Sequence, residues 1–495
     1  MNTARTVAAI DLGAESGRVM LARFDGRHLR LDEVRRFLNR PVTLDGHRLW
    51  NMLGLWQETL DGLRKARQMA GRLDSVGVDT WGVDYGLINA EGLLCAPTYH
   101  YRDHRTDDVM DAVFARISRE TIYRRTGIQF MPINTLFQLY AHQRQYPQEL
   151  TSAHRLLMIP DLLHTWLSGT QVSERTNATT TQCWDPVAAD WARDLLDELG
   201  IPTTLLPPVV EAGTLLGQAR PEWRADLGAA KIIAPATHDT GSAIAAVPVA
   251  TGTSWAYISS GTWSLVGAEL PHPVVTAEAL AANWTNEGGV FGATRFLKNV
   301  TGLWLLQECQ RAWTQDQWAQ DYDALLVTLD SVPPFAALID PDHPSFLAPA
   351  HMPDAINAYL RTHGQQPLSS PAAFARCILE SLALRYCEVL RQLELLAQRR
   401  FEVIHVVGGG SRNVKLNQWL ANAFGAPVIA GPTEATALGN ALLQLVGLGE
   451  LHTLSEIREV SQQTPTQVYL PSAGDRVPWE EMAERFAQLS TVDHR

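Results

Sequence analysis

The sequence lacks a G-x-x-x-x-G-K-Ser/Thr element, and no G-x-G-x-x-G follows a strand-like run. A P-loop and a Rossmann turn are therefore both excluded, and any nucleotide must be held another way. Cysteine is scarce. The five residues Cys95, Cys183, Cys309, Cys377 and Cys387 are odd in number and form no CxxC pair. That argues against a disulfide framework and a zinc ribbon, and for reduced thiols that mostly pack in a cytoplasmic protein. No apolar stretch is long enough to span a bilayer. The start MNTARTVAAI enters a strand-like segment without a basic region and a long apolar core, so no secretory leader is expected. The acceptor patterns Asn177-Ala-Thr179 and Asn283-Trp-Thr285 then read as chance matches. Positive charge is in deficit: 41 Lys and Arg face 53 Asp and Glu, a net charge of -12. Neither nucleic acid nor a membrane is expected as partner, although a local site for an anion such as ATP is compatible with this balance.

What is present is the composition of an ordinary globular protein, 46% hydrophobic over 495 residues, which suggests two or three domains. Three glycine-bearing turns follow strand-like runs. Val7 to Asp11 leads into Leu12-Gly13-Ala14-Glu15-Ser16-Gly17-Arg18 and a second apolar run from Val19, which predicts a hairpin. Trp255 to Ser260 leads into Gly261-Thr262-Trp263-Ser264 and Leu265-Val-Gly with the same outline. Val403 to Val407 leads into Gly408-Gly409-Gly410-Ser411, then a helical pattern with Leu416, Trp419, Leu420, Ala423 and Phe424 on one face, then Pro427 to Ala430. That strand–loop–helix–strand unit predicts a parallel sheet. The two hairpins sit at similar places in halves of similar length. This reads as weak internal duplication: two α/β domains joined near residues 243–253. Phe374 to Leu393 repeats apolar residues every four positions and predicts a core helix. The chain beyond Pro478 predicts a terminal helix.

Each turn has a chemical and a purely structural reading. Asp11, at a strand end two residues before a glycine, suits Mg²⁺ or its waters, while glycine lets backbone N–H groups approach phosphate. An Asx turn explains the same residues. The Ser259–Ser264 turn offers hydroxyls and amides but no charge, as a second phosphate clamp or as a polar loop. The triple glycine removes side chains where a flat ligand could lie, before a helix N-terminus; a flexible loop is the alternative. His238-Asp239-Thr240 falls at a probable helix start after Ile232 and Ile233. There Asp239 either caps the helix or serves as a general base. His100 and His104 have i,i+4 spacing without a third ligand, and a non-metal role is favoured. Thr80-Trp81-Gly82-Val83-Asp84 reads either as a sugar shelf or as a buried strand end.

In order, the motifs resemble those of the FGGY carbohydrate kinases, within the actin–Hsp70–hexokinase superfamily, over roughly residues 6–470. They are Asp11–Arg18, Asp79–Asp84, Tyr101–Thr106, Gly127–Phe130 with Asn134–Leu136, and Thr176–Gln182. Then come His238–Thr240, Ser259–Ser264, Thr285–Gly289, Leu297–Asn299, Gly302–Gln307 and Val407–Asn413. The resemblance implies two ribonuclease-H-like, actin-like ATPase domains flanking a catalytic cleft. They are expected over residues 1–246 on the sugar side and 247–475 on the nucleotide side, with a tail over 476–495. It implies ATP and Mg²⁺ as cofactors and phosphorylation of the 1-hydroxyl of L-rhamnulose. The alternatives are a sister kinase acting on fuculose, xylulose or glycerol, or an ATP-switched binding module. Asp239 is then expected as the base, and Gly82, His238, Thr240 and Asn299 at the sugar. Ala14, Glu15, Ser16, Gly17, Arg18, Thr262, Gln307 and Gly409 are expected at the nucleotide, with Asp11 near the metal. Glu15 departs from the pattern, since a small hydroxyl residue is expected there; a carboxylate would repel phosphate unless it turns outward or binds metal. A small-molecule sugar and ATP are the expected partners, for a monomer or weak homo-oligomer.

Overall fold

In chain order, the strands that matter here are β1 (Arg5–Leu12), β2 (Ser16–Phe24), β3 (Leu29–Leu38), β4 (Ser75–Thr80), β5 (Thr214–Gln218) and β6 (Lys231–Ala234). They are followed by β7 (Trp255–Ser260), β8 (Trp263–Leu270), β9 (Thr294–Thr301), β10 (Val403–Val407), β11 (Val428–Ala430) and β12 (Gln467–Tyr469). The helices are α1 (Met52–Ala70), α2 (Asp239–Ala245), α3 (Trp304–Gln315), α4 (Pro371–Leu396), α5 (Val414–Phe424) and α6 (Ala435–Leu448). These come from a computed structural model that describes residues 4–315, 322–472 and 476–492. The chain forms two compact units. The first gathers Met1–Thr251, Glu269–Phe296 and Glu434–Thr464; the second gathers Gly252–Ala268, Leu297–Thr433 and Pro465–Arg495.

The first unit is built around β1, whose residues are apolar on both faces. Alternate side chains of a strand point opposite ways. Ala8, Ile10 and Leu12 therefore enter one core, with Leu55, Leu63 and Ala66 of α1. Val7 and Ala9 enter another, with Leu438, Ala441, Leu442 and Leu445 of α6. A strand covered on both sides reads as a continuous hydrophobic run, as this one does. The sheet runs β5–β6–β4–β1–β2–β3. β2 lies antiparallel to β1 and β3, while β4 lies parallel to β1 and β6.

The second unit repeats the order, β9–β8–β7–β10–β11–β12. β7 pairs antiparallel with β8 and parallel with β10, which is parallel to β11. Both hairpins and the parallel strand–helix–strand unit predicted from sequence are present, and the shared strand order is the ribonuclease-H-like one. α4 starts at an N-cap, Ser370, whose hydroxyl accepts the Ala373 N–H. Phe374, Ile378, Leu382, Tyr386 and Leu390, the predicted stripe, are all buried. The expected terminal helix spans Arg476–Val492, and the last three residues of the chain lie outside the described ones. All five cysteines are free thiols, and only Cys95 is exposed. Among the described residues no helix is long and apolar enough to cross a membrane.

α6 crosses the first unit against α2, and Gly439 makes that approach feasible: a Cβ there would overlap the Ser242 carbonyl. Gly439→Ala is expected to cost about 1–3 kcal/mol through overpacking against a backbone that has nowhere to move. The check is the denaturant midpoint of the first unit. Thr436→Ala, on a partly exposed position of the same helix, should leave it within about 0.5 kcal/mol. An unchanged midpoint in Gly439→Ala would refute the packing argument.

Candidate active site

The β1–β2 hairpin puts three charged groups in register. Asp11 lies opposite Arg18 on β2 and opposite Asp79 on β4. Directly opposed residues on one face of a sheet are close enough to interact. Arg18 donates from Nε and Nη2 to Asp11 Oδ2, at 2.9 and 2.7 Å. Its Nη1 pairs with Glu434, which precedes α6. The guanidinium is thus balanced by two carboxylates of its own unit. Gly17 also has a packing duty, since a side chain there would overlap Phe37 and Leu12. The turn itself is closed by Gly13 N–H donating to the Ser16 carbonyl. Asn39 fixes it further, donating from Nδ2 to the Gly13 carbonyl and from its backbone to the Glu15 carbonyl.

Asp79 is fully buried. Its Oδ2 accepts the Asn440 amide at 2.6 Å, and its Oδ1 is buried without a hydrogen-bond partner among the described residues. Burial, then the charges of Asp11 and Asp239, hold this carboxyl well above the usual range, and the Asn440 bond opposes them. Asn440 is itself braced. Gln444, one turn on, donates to Asn440 Oδ1 and to the Ala8 carbonyl, and accepts from Ser75 Oγ. Two amides at i,i+4 on an otherwise apolar helix thus satisfy polar groups of the two central strands, β1 and β4.

Asp239 is the first residue of α2, and the cap position belongs to His238. Asp239 is therefore not the N-cap residue. Instead Oδ1 accepts both the backbone N–H and the hydroxyl of Thr240. The side chain keeps 30% of its exposure. Burial of the carboxyl raises its pKa above the ordinary value; His238 opposes this and Asp11 adds to it.

The approach to α2 is clamped by the Thr176–Gln182 segment, for which sequence reasoning gave no role. Glu174 accepts from the backbone and hydroxyl of Thr237, and Thr176 Oγ1 accepts the His238 N–H. Asn177 reaches the carbonyls of Trp81 and Thr237. Thr180 Oγ1 accepts the Val83 N–H. Gly82 presses on the same residue: a Cβ would stand 2.9 Å from Thr180 Oγ1. Gly82, His238, Asp239 and Thr240 are therefore brought together by one scaffold. Asp84 has a structural duty. It accepts from the indoles of Trp50 and Trp81, from Tyr101 N–H and from Gln138, and burial pushes its pKa up to about 6. His100 is stacked on Trp50 at 4.1 Å, while His104 is exposed beside Asp107.

In the second unit, Thr262 and Gln307 meet: Thr262 Oγ1 donates to Gln307 Oε1 at 3.2 Å, between the β7–β8 turn and α3. The triple glycine divides its duties. Gly408 has a φ of 81°, the left-handed region, and Gly410 leaves room for Ser260, but a side chain at Gly409 would meet nothing within 4 Å. Only Gly409 thus offers the open backbone expected of all three. Asn299 lies on β9 in the second unit.

Among the described residues no group of three or more His, Cys, Asp and Glu forms a metal cage. Magnesium needs no cage, since it keeps most of its water and takes one or two carboxylates. Arg18 places both bonds on Asp11 Oδ2, so Asp11 Oδ1 and Asp79 Oδ1 remain as hard oxygen donors that fit a hydrated ion.

Residues 6–246 match the N-terminal domain of the FGGY family of carbohydrate kinases, and residues 256–448 match its C-terminal domain. A rhamnulokinase from Bacteroides thetaiotaomicron is 43% identical over 475 residues, 95% of this chain and 96% of the relative. One from Pectobacterium atrosepticum is 44% identical over 473 residues, 95% and 94% of the two chains. A solved gluconate kinase from Lactobacillus acidophilus shares the fold with a TM-score of 0.81, covering 99% and 98% of the two chains at 15% identity. The chain belongs to the FGGY family of carbohydrate kinases.

Proposed function

We propose that this protein transfers the γ-phosphate of ATP to the 1-hydroxyl of L-rhamnulose, with Asp239 as general base. The observation that supports the base is the asymmetry of its carboxylate. Thr240 occupies Oδ1 with two donors, which leaves Oδ2 without a partner among the described residues, on a side chain that still reaches solvent. The choice of sugar rests on the two rhamnulokinases that match this chain over nearly its whole length.

In the reaction the acceptor O–H gives its proton to Asp239 Oδ2 as its oxygen bonds to the γ-phosphorus. The bond to the ADP oxygen breaks, and ADP leaves with that electron pair. Phosphoryl transfer needs the hydroxyl oriented and its proton accepted late, so a carboxylate suffices. Mg²⁺, when bound, offsets phosphate charge, and Asp11 Oδ1 would hold it through water. Gly82, His238, Thr240 and Asn299 are assigned to the sugar. The turn Ala14–Gly17 is assigned to the phosphates through its backbone, and Thr262, Gln307 and Gly409 to the nucleotide. Arg18 acts on this site by setting the Asp11 carboxylate, since its own charge is already balanced.

Asp239→Asn should bind ATP and lose turnover by about 10²–10⁴-fold, read as ADP release; near-normal turnover would sink the assignment. The raised pKa sets a sign for the pH dependence. The base works only when ionised, so kcat/KM of the wild type should rise with pH through an apparent pKa above about 3.9, the ordinary aspartate value. A limb at or below that value would contradict the buried base. Across a panel of L-rhamnulose, L-fuculose, D-xylulose and glycerol, kcat/KM for L-rhamnulose should lead by at least about tenfold. Equal rates, or a lead by another acceptor, would reassign the substrate.

A further inference from the structure

Behind His238 stands a buried ion pair that the phosphoryl-transfer scheme above does not use. Arg295, the second residue of β9, is completely buried, and Glu287 on the short strand Thr285–Gly288 is nearly so. Arg295 Nε donates to the Gly288 carbonyl at 2.8 Å, and Nη2 lies 3.0 Å from Glu287 Oε2. Burial pushes Glu287 up, but Arg295 and His238 outweigh it and hold the carboxyl below its ordinary value. The same Nη2 lies 2.9 Å from His238 Nδ1 in hydrogen-bond geometry, while Glu287 Oε2 lies 3.2 Å from that nitrogen as a close charge. A guanidinium has no lone pair to offer and does not deprotonate in proteins, so it is the donor here and Nδ1 the acceptor. The ring proton is then on Nε2, which stands 3.4 Å from Asp239 Oδ1.

We propose that Arg295 is a positioning residue for the acceptor end of the reaction: by donating to Nδ1 it places the ring proton of His238 on Nε2, the nitrogen nearer Asp239. An N–H on that side joins the two Thr240 donors facing Oδ1, and so reserves Oδ2 for the sugar hydroxyl. The bond a histidine makes on one nitrogen decides what the other can do. A second proton on Nδ1 would face the Arg295 cation. The charged groups around the ring are Asp239 on α2, Glu287 on its strand, Arg295 on β9, and Glu174, which holds the preceding residue Thr237. Asp11 acts on Asp239 from β1. The role of Arg295 rests on Asp239 as the base, but the state of the ring is measurable without any reaction.

The test is nitrogen NMR of the full chain labelled with ¹⁵N-histidine, without substrate, with His238→Asn to assign the signals. At about pH 8.5, above the range in which an ordinary histidine gains its second proton, the single ring proton of wild-type His238 should sit on Nε2. A proton on Nδ1 would overturn the proposal. The double variant Arg295→Met/Glu287→Gln removes the ion pair as a unit, so neither charge is stranded. In it both ring tautomers of His238 should be populated; a ring as fully Nε2–H as the wild type's would also overturn it. Its kcat should fall at least about tenfold with a smaller change in KM, and Arg295→Lys, which restores a cationic donor, should recover part of the loss. If the double variant does not fold, the wild-type spectrum decides alone. Failure of Asp239 as the base would show in Asp239→Asn turnover and leave the ring's proton where it is.

Discussion

Three carboxylates, those of Asp11, Asp79 and Asp239, act on one another in a poorly solvated corner of the first unit. Ionised groups withdrawn from water are costly unless paired, and like charges make them costlier. Much of the surrounding structure answers that constraint. Arg18 neutralises Asp11, and Glu434 then balances what remains of its charge. Asn440 supports Asp79 with a neutral amide rather than a cation. Asp239 keeps more contact with solvent than the other two. Neighbours alone thus set three chemically identical side chains apart: one paired with a cation, one held by an amide, one facing Thr240.

The second unit repeats the strand order and leaves out the charge. Its corresponding turn offers Thr262 and its neighbours, with Gln307 completing the group. The same sheet geometry can therefore present either carboxylates or neutral donors at its turn, and the residues of that turn decide which. Such a division suits a reaction in which one partner must give up a proton and the other brings its own negative charge.

The strands and turns were legible because they are local. Apolar runs, small turn residues and the α4 stripe all express periodicities that the backbone enforces within a few residues. Glu434, Asn440, Glu287 and Arg295 went unnoticed because each acts on a partner far along the chain, 361 residues away for Asn440 and Asp79. A signal did exist in α6: two amides four apart on an apolar helix seldom occur without buried polar partners. For the triple glycine, sequence showed where side chains are missing but not why. Conformation requires Gly408, packing requires Gly410, and only Gly409 is left to face a ligand. The capping reading of Asp239 missed the cap by one residue: His238 holds that position, and the Asp239 carboxylate turns to Thr240.

The chain order of the first unit has a consequence for its birth on the ribosome. Glu434, Asn440 and Gln444 belong to that unit yet emerge only after the β7–β11 stretch of the second. Until they do, Asp79 lacks its amide, Arg18 its second carboxylate, and Val7 and Ala9 of the central strand much of the helix that covers them. The nascent first half must wait with one sheet face uncovered, a state in which chaperones commonly intervene. The acidic corner is therefore assembled only once the chain has passed Gln444, so a chain stalled before that point lacks these contacts.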